Sequence, residues 1–281
     1  MERIKQAIEK AKNQHSYEPV RNVKVRVRNS VSPIQESASI EQDDLGNISY
    51  QNTRIVNLRP EILEKNRIVA IDKNDPKSMV FDILRTHVLK KMEENGWKTL
   101  AITSPTPEAG KTVVAINLAI SIAQKTNKTS MLVDFDLRRP KVGKYLGLPM
   151  EKSLNELLDG SATLPEVIIN PDIPRFVVLP TKSPVRKSSE ILSSRKISEL
   201  VNDISKRYES RIVIFDLPPM LVSDDVISLI PQVDCVLLVV ANGMCTKREI
   251  EETLRHLPAE KLIGTVLNKE DITQNAYYYD Y

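Results

Sequence analysis

Six apolar runs, at 98–103, 129–134, 175–179, 211–216, 234–241 and 262–268, decide what this chain can fold into. Helical patterns stand between them, at 111–126, 153–159, 188–207, 222–230 and 246–256; two open with capping boxes, Ser153…Glu156 and Thr246…Glu249. The runs are continuous stretches rich in Val, Ile and Leu rather than alternations of apolar and polar residues. Strands of that kind are buried on both faces, and helical crossovers over a parallel sheet provide that burial. The expected fold class is α/β, with a mostly parallel central sheet flanked by helices.

In such a sheet, ligands bind at the carboxyl ends of the strands. The first run leads into Ser104-Pro105-Thr106-Pro107-Glu108-Ala109-Gly110-Lys111-Thr112, and a helical pattern follows. Strand, loop ending Gly-Lys-Thr, helix is the layout of a phosphate-binding P-loop. Backbone N–H groups and a helix N-terminus favour anions there. Candidate nucleotide contacts are Thr106, Pro107, Glu108, Ala109, Gly110, Lys111, Thr112 and Val113. Lys111 would reach the terminal phosphates and the Thr112 hydroxyl would hold magnesium. Pro105 stands where the P-loop pattern has its first Gly, so an ordinary loop entering a helix is the other reading of this stretch.

The second and fourth runs end in aspartate: Met131-Leu132-Val133-Asp134-Phe135-Asp136-Leu137-Arg138-Arg139-Pro140 and Ile212-Val213-Ile214-Phe215-Asp216-Leu217-Pro218-Pro219. Magnesium is held by one or two carboxylates together with phosphates. It offsets phosphate charge during transfer. A single aspartate after a strand is equally a turn or cap residue, but three elements in this order fit a nucleotide site. The expected ligands are ATP and Mg2+. Lys111, Asp134, Asp136 and Asp216 are the candidate catalytic groups. Thr112, Asp136 and Asp216 fall on the metal side. Asp134 is the candidate to accept a proton from an attacking hydroxyl, or to help hold the metal.

The chain divides into a basic helix, arm and linker over 1–54, a P-loop domain over 55–273, and a Tyr-rich tail over 274–281. Ile4, Ala7, Ile8 and Ala11 lie at helical spacing among basic residues, fitting a surface helix or one that touches a membrane or partner. Residues 22–28 alternate apolar and basic, as an edge strand or docking arm would. Asp75-Pro76 reads as a helix start, Met79, Val80, Ile83, Leu84 and Val88 as its apolar stripe, and Asn95-Gly96 as its stop. A net charge of +3 is too small to imply nucleic acid. With no signal-peptide pattern and no membrane-length apolar run, a soluble, cytoplasmic protein is expected. Two cysteines and three scattered histidines build neither a disulfide framework nor a metal cluster, and Cys235 reads as a buried thiol.

Four of the eight tyrosines, Tyr277, Tyr278, Tyr279 and Tyr281, lie in the last five residues. By themselves they read as a sticky aromatic tail or a docking peptide.

With these residues assembled, residues 76 to 281 resemble the bacterial tyrosine kinases of capsule and exopolysaccharide biosynthesis. These use the deviant P-loop ATPase fold shared with MinD- and ParA-type cell-division and partition ATPases. The resemblance rests on Ser104–Thr112, on Val133-Asp134-Phe135-Asp136-Leu137-Arg138-Arg139-Pro140 and on Phe215-Asp216-Leu217-Pro218-Pro219. Ser189-Glu190-Ile191-Leu192 and Gly264-Thr265-Val266-Leu267-Asn268 add to it. It implies an autokinase that phosphorylates its C-terminal tyrosines in a neighbouring copy and so regulates polysaccharide polymerisation and export. It implies base contact by Asn268, a homo-oligomer, a separate membrane-spanning co-polymerase that activates the kinase at the inner face of the plasma membrane, and a cognate tyrosine phosphatase. Two further positions matter. Of the Glu-x-x-Arg-x-x-Arg ring motif only Arg85 is matched. Thr106 stands where partition-type ATPases carry a second Lys, which disfavours the alternative of a positioning ATPase. A non-catalytic, nucleotide-binding subunit of an export complex is the remaining reading.

Overall fold

The computed structural model describes residues 53–72 and 74–270. The arm expected before residue 53 and Tyr277, Tyr278, Tyr279 and Tyr281 lie outside those residues. Eight strands form one sheet: β1 Arg54–Ile55, β2 Thr99–Thr103, β3 Thr129–Asp134, β4 Ile169–Asn170, β5 Phe176–Leu179, β6 Arg211–Asp216, β7 Cys235–Ala241 and β8 Leu262–Asn268. Their order is β1-β4-β5-β3-β6-β2-β7-β8. Every pair is parallel except β4 against β5. The six apolar runs are six of these strands, and all residues of β2, β3, β5 and β7 are buried. That is why no polar alternation shows in them. The two-residue β1 and β4 are too short to carry a periodic signal.

Helices cover both faces. Ser78–Glu94 and Lys111–Lys125 bury Val88, Leu89, Met92, Ile116 and Ile120 on one side. Arg195–Lys206 and Asp225–Leu229 bury Ile197, Val201, Ile204, Val226 and Leu229 on the other. Each such side chain removed from water contributes about 1.5–3 kcal/mol before the entropy of ordering it is subtracted. Within the apolar helix Lys111–Lys125 one polar side chain is fully enclosed. Asn117 accepts the N–H groups of Val69 and Ala70 (2.8 and 2.9 Å) and donates to the carbonyls of Arg67 and Val113 (3.0 and 2.9 Å).

Three local expectations need correction. The pattern over 188–207 is two helices, Ser188–Leu192 and Arg195–Lys206, because the Ser194 hydroxyl caps the second by accepting the Ile197 N–H. The helix expected at Asp75-Pro76 starts at Ser78; Asp75 instead builds the preceding turn, its carboxylate accepting the Lys77 N–H and its carbonyl the Ser78 N–H. The stripe Met79, Val80, Ile83, Leu84, Val88 is not one face of core. Met79, Val80 and Ile83 are 63%, 65% and 54% exposed, whereas Val88, Leu89 and Met92 are buried. The fully buried apolar side chains of this helix lie in its C-terminal half, while the N-terminal half meets the helix Lys111–Lys125 through Leu84 and polar side chains. Arg85 is turned inward, donating to Asp82 (2.7 Å) and to the Ser121 hydroxyl (2.9 Å). Asp82 also holds Lys125 (2.9 Å). These bonds outweigh the opposing effect of burial and keep the Asp82 carboxyl below the usual range.

Candidate active site

Sheet register builds the site. β6 lies between β2 and β3, and Asp216 at its end is paired in register with Ile102 of β2 and with Asp134 of β3. The loop after β2, the aspartates after β3 and Asp216 therefore converge on one edge of the sheet. β8 pairs with β7, Ala241 opposite Asn268, and so brings Asn268 to the same edge.

The loop from Ser104 ends at Gly110, which adopts φ +89° and opens the helix Lys111–Lys125. The first N–H groups of a helix have no intrahelical partner and face whatever lies beyond its N-terminus. Asn268 closes the other side of the loop, its amide donating to the Ala109 carbonyl at 2.8 Å. A Cβ on Gly110 would stand 2.2 Å from that amide nitrogen, so only glycine admits the contact. Val113 and Asn268 both line a cavity of about 1020 Å³. Pro107 and Glu108 are exposed at the mouth of a separate cleft of about 420 Å³, lined also by Lys111 and Asp136. Thr106 faces away from it: its hydroxyl lies 3.2 Å from the Cys245 sulfur.

The charged centre is compact. Lys111 Nζ is 2.8 Å from Asp136 Oδ2 and 3.6 Å from Asp216 Oδ1. Burial alone would lower the Lys111 ammonium, but Asp216 and Asp136 outweigh it and raise it above its usual value. The Thr112 hydroxyl donates to Asp216 Oδ2 at 2.7 Å. Asp216 Oδ1 is buried and accepts no hydrogen bond. Burial pushes the Asp216 carboxyl up, against the opposing pull of Lys111.

Asp134 is fully enclosed. Its Oδ2 accepts the N–H groups of Lys141 (3.0 Å) and Val142 (2.9 Å), and its Oδ1 the N–H of Asp136 (3.3 Å). Burial, followed by the charge of Asp216, holds it well above the usual carboxylate range. Asp136, by contrast, lines the cleft, and its Oδ1 accepts the Arg139 N–H at 3.0 Å.

The donor set fits a hard divalent cation. A hydroxyl and an orphaned buried carboxylate oxygen stand side by side, with Asp136 close by through Lys111. Among the described residues no cluster of three or more metal-ligating side chains exists. A protein-only cage is therefore absent, and a cation here would need phosphate oxygens to complete its shell, as magnesium commonly does.

Several supporting residues carry no signal in the sequence. Arg138 makes a two-pronged pair with the enclosed Asp225 (3.1 and 3.2 Å), 87 positions away. The Thr181 hydroxyl donates to the Asp134 carbonyl (2.6 Å), and the Val185 N–H to the Leu137 carbonyl (2.8 Å). These bonds tie the loop after β5 to the loop after β3. The stacked rings of Phe135 and Phe215, 5.1 Å apart, pack between the aspartate-bearing strand ends.

A profile of the AAA domain matches residues 97–266. The chain is similar to the tyrosine-protein kinase ptk of Acinetobacter johnsonii, 31% identical over 84% of this chain and 33% of that protein. It is also similar to the tyrosine-protein kinase CpsD of Streptococcus pneumoniae serotype 4, 30% identical over 64% of this chain and 79% of that protein. Among solved structures, the kinase domain of the Escherichia coli tyrosine kinase ETK matches with a TM-score of 0.68 at 28% identity, over 81% of this chain and 93% of that one. The chain spans about a third of the length of the longer relative, 33%.

Proposed function

The chain belongs to the bacterial tyrosine-protein kinase family, built on an AAA domain, and on that premise we propose that it is an ATP-dependent protein-tyrosine kinase whose acceptors are Tyr277, Tyr278, Tyr279 and Tyr281. The observation that carries this reading is the junction of Lys111, Thr112, Asp136 and Asp216 at the carboxyl ends of β2, β3 and β6.

In this reading the loop N–H groups and Lys111 hold the terminal phosphates of ATP. Asn268 and Val113 face the base. Thr112, Asp216 and Asp136 hold magnesium, whose chemistry when bound is to offset phosphate charge. The phenolic oxygen of a tyrosine bonds to the γ-phosphorus as the bond to the β–γ bridging oxygen breaks, and ADP leaves. The phenolic proton passes to a carboxylate. Asp136 is our assignment for that acceptor, because it lines the cleft. Asp134, offered for that role by the sequence, is fully enclosed with both oxygens on backbone N–H groups, and it positions the loop through the Lys141 and Val142 N–H groups.

A second copy supplies the acceptor tail in trans, and a membrane-spanning polysaccharide co-polymerase recruits the chain to the inner face of the plasma membrane. A tyrosine phosphatase resets it, and polysaccharide polymerisation and export is the regulated process. Among the described residues no helix is long and apolar enough to cross a membrane. A positioning ATPase is the weaker reading: position 106 holds Thr, engaged with Cys245, where that class carries a lysine.

The test is incubation of the full chain with Mg-ATP followed by mass spectrometry of the C-terminal peptide, beside Lys111→Met. Phosphotyrosine at 277–281 in the parent and none in the variant is the expected result. ATP turnover with no phosphotyrosine at any protein concentration would overturn the assignment.

A further inference from the structure

Most cations around the cleft are already committed. Lys111 is neutralised by Asp136 and Asp216, and Arg138 by Asp225. On the neighbouring loop, Lys187 pairs with Glu190 and Lys182 reaches the Glu151 carbonyl. Three are not. Arg139 and Lys141 line the cleft, and Arg186 is exposed next to Val185, which also lines it. Among the described residues, none of these three side chains makes a hydrogen bond or an ion pair. Of the carboxylates lining the cleft, Asp136 is spent on Lys111 and only Glu108 stands unpaired against them.

The backbone beneath these cations is fixed. The Arg139 N–H is held by Asp136, the Lys141 N–H by Asp134, and Val185 by Leu137. Asn155 further fixes the second loop by accepting the N–H groups of Lys182 and Ser183 (3.0 and 3.1 Å). A pinned backbone removes the backbone part of the ordering cost on meeting an anion and leaves only the side-chain rotamer entropy to be lost. Two of the three are guanidinium groups, suited to bidentate contact with carboxylate or phosphate.

We propose that Arg139, Lys141 and Arg186 form an acceptor-selecting rim that admits tyrosines flanked by negative charge and holds the segment more tightly as phosphates accumulate on it. The inference rests on the kinase reading of the same cleft. Its substrate class is the acidic tyrosine peptide. Tyr277-Tyr278-Tyr279-Asp280-Tyr281 belongs to that class through Asp280, and each phosphotyrosine adds about −1.5 to −2 of charge. The first transfer therefore turns a moderate ligand into a better one. Later tyrosines of the same tail are favoured over the first tyrosine of a fresh tail, until the full product occupies the rim and slows exchange.

The experiment uses the full chain and three synthetic peptides: residues 272–281, the same peptide with Asp280→Asn, and the same peptide carrying phosphate on Tyr279. Steady-state phosphorylation gives kcat/KM for each, and fluorescence anisotropy gives binding without turnover. The expected order is phosphorylated, then acidic, then neutral, with a preference on the order of tenfold at low salt that shrinks as salt is added. Combined Arg139→Gln, Lys141→Gln and Arg186→Gln should collapse that preference. Arg186→Gln alone, at the position furthest from the phosphate loop in sequence, should weaken it part of the way should the triple variant not fold. Equal kcat/KM and equal binding for all three peptides, or a preference that survives the substitutions, would overturn the rim. Binding that follows the expected order with no transfer to any peptide would instead overturn the kinase reading and leave the rim as a docking surface for acidic peptides.

Discussion

Replacing Gly110 with alanine separates two costs that the structure keeps distinct. At φ +89° any L side chain is strained, by about 1–2 kcal/mol. The new Cβ would also fall 2.2 Å from Asn268 Nδ2, so Asn268 must leave the Ala109 carbonyl. Losing that hydrogen bond costs about 0.5–1.5 kcal/mol. Gly96 is the internal control, because it has φ +67° but nothing within 4 Å of the position a Cβ would take. Gly96→Ala therefore carries the strain alone. Both substitutions stiffen the unfolded chain to the same extent, and that contribution cancels in the comparison. Urea unfolding should find Gly110→Ala more destabilising than Gly96→Ala by about 1 kcal/mol. In an Asn268→Ala background the excess should vanish, since the clash has no partner there. A fluorescent ATP analogue should lose affinity for the Gly110 variant and keep it for the Gly96 variant. Equal destabilisation by the two substitutions, or an excess that persists without Asn268, would refute the account of the Ala109–Asn268 contact.

Two further outcomes follow from buried ionisable groups. Because the folded-state value of Asp134 is raised above 3.8, its contribution to stability is complete below that pH and is lost as pH rises through the raised value. Asp134→Asn should flatten the pH dependence of the urea midpoint above pH 3.8, and slopes equal to the parent's would remove Asp134 as the cause. Burial pushes the Cys235 thiol up to about 12, whereas Cys245 is partly exposed. Ellman's reagent should thus find one thiol in the folded protein and two after unfolding, with Cys245→Ser abolishing the folded-state signal.

Much of this fold can be read in the chain because strands buried on both faces leave an unmistakable mark. Runs such as Met131–Val133 and Val236–Val240 admit no polar face, and the aspartates that end two of them stand out against that background. Asp134 and Asp216 thereby become candidates from the sequence alone. Their neighbours do not. Asp225 is an ordinary helix-start residue until Arg138 is seen against it, and a pair 87 positions apart leaves no periodic trace. The exposed trio Met79, Val80 and Ile83 shows the opposite limit. Helical spacing says which side chains share a face but not whether anything covers that face. The basic rim is likewise invisible in sequence, since being unpaired is a property of the neighbours, not of Arg139 itself.

The enclosed amide of Asn117 sets a physical boundary that differs from the one drawn by sequence similarity. The AAA profile begins at residue 97, immediately before β2. Yet Asn117 spends three of its four hydrogen bonds on the stretch from Arg67 to Ala70, and its fourth on Val113, one residue beyond Thr112. A fragment trimmed to the profile would take away three of that amide's four hydrogen bonds, at about 0.5–1.5 kcal/mol each, and uncover the apolar residues packed around it. It would also strip one wall from the cavity that Asn268 and Val113 share. Recombinant fragments meant to retain nucleotide should therefore begin before residue 67.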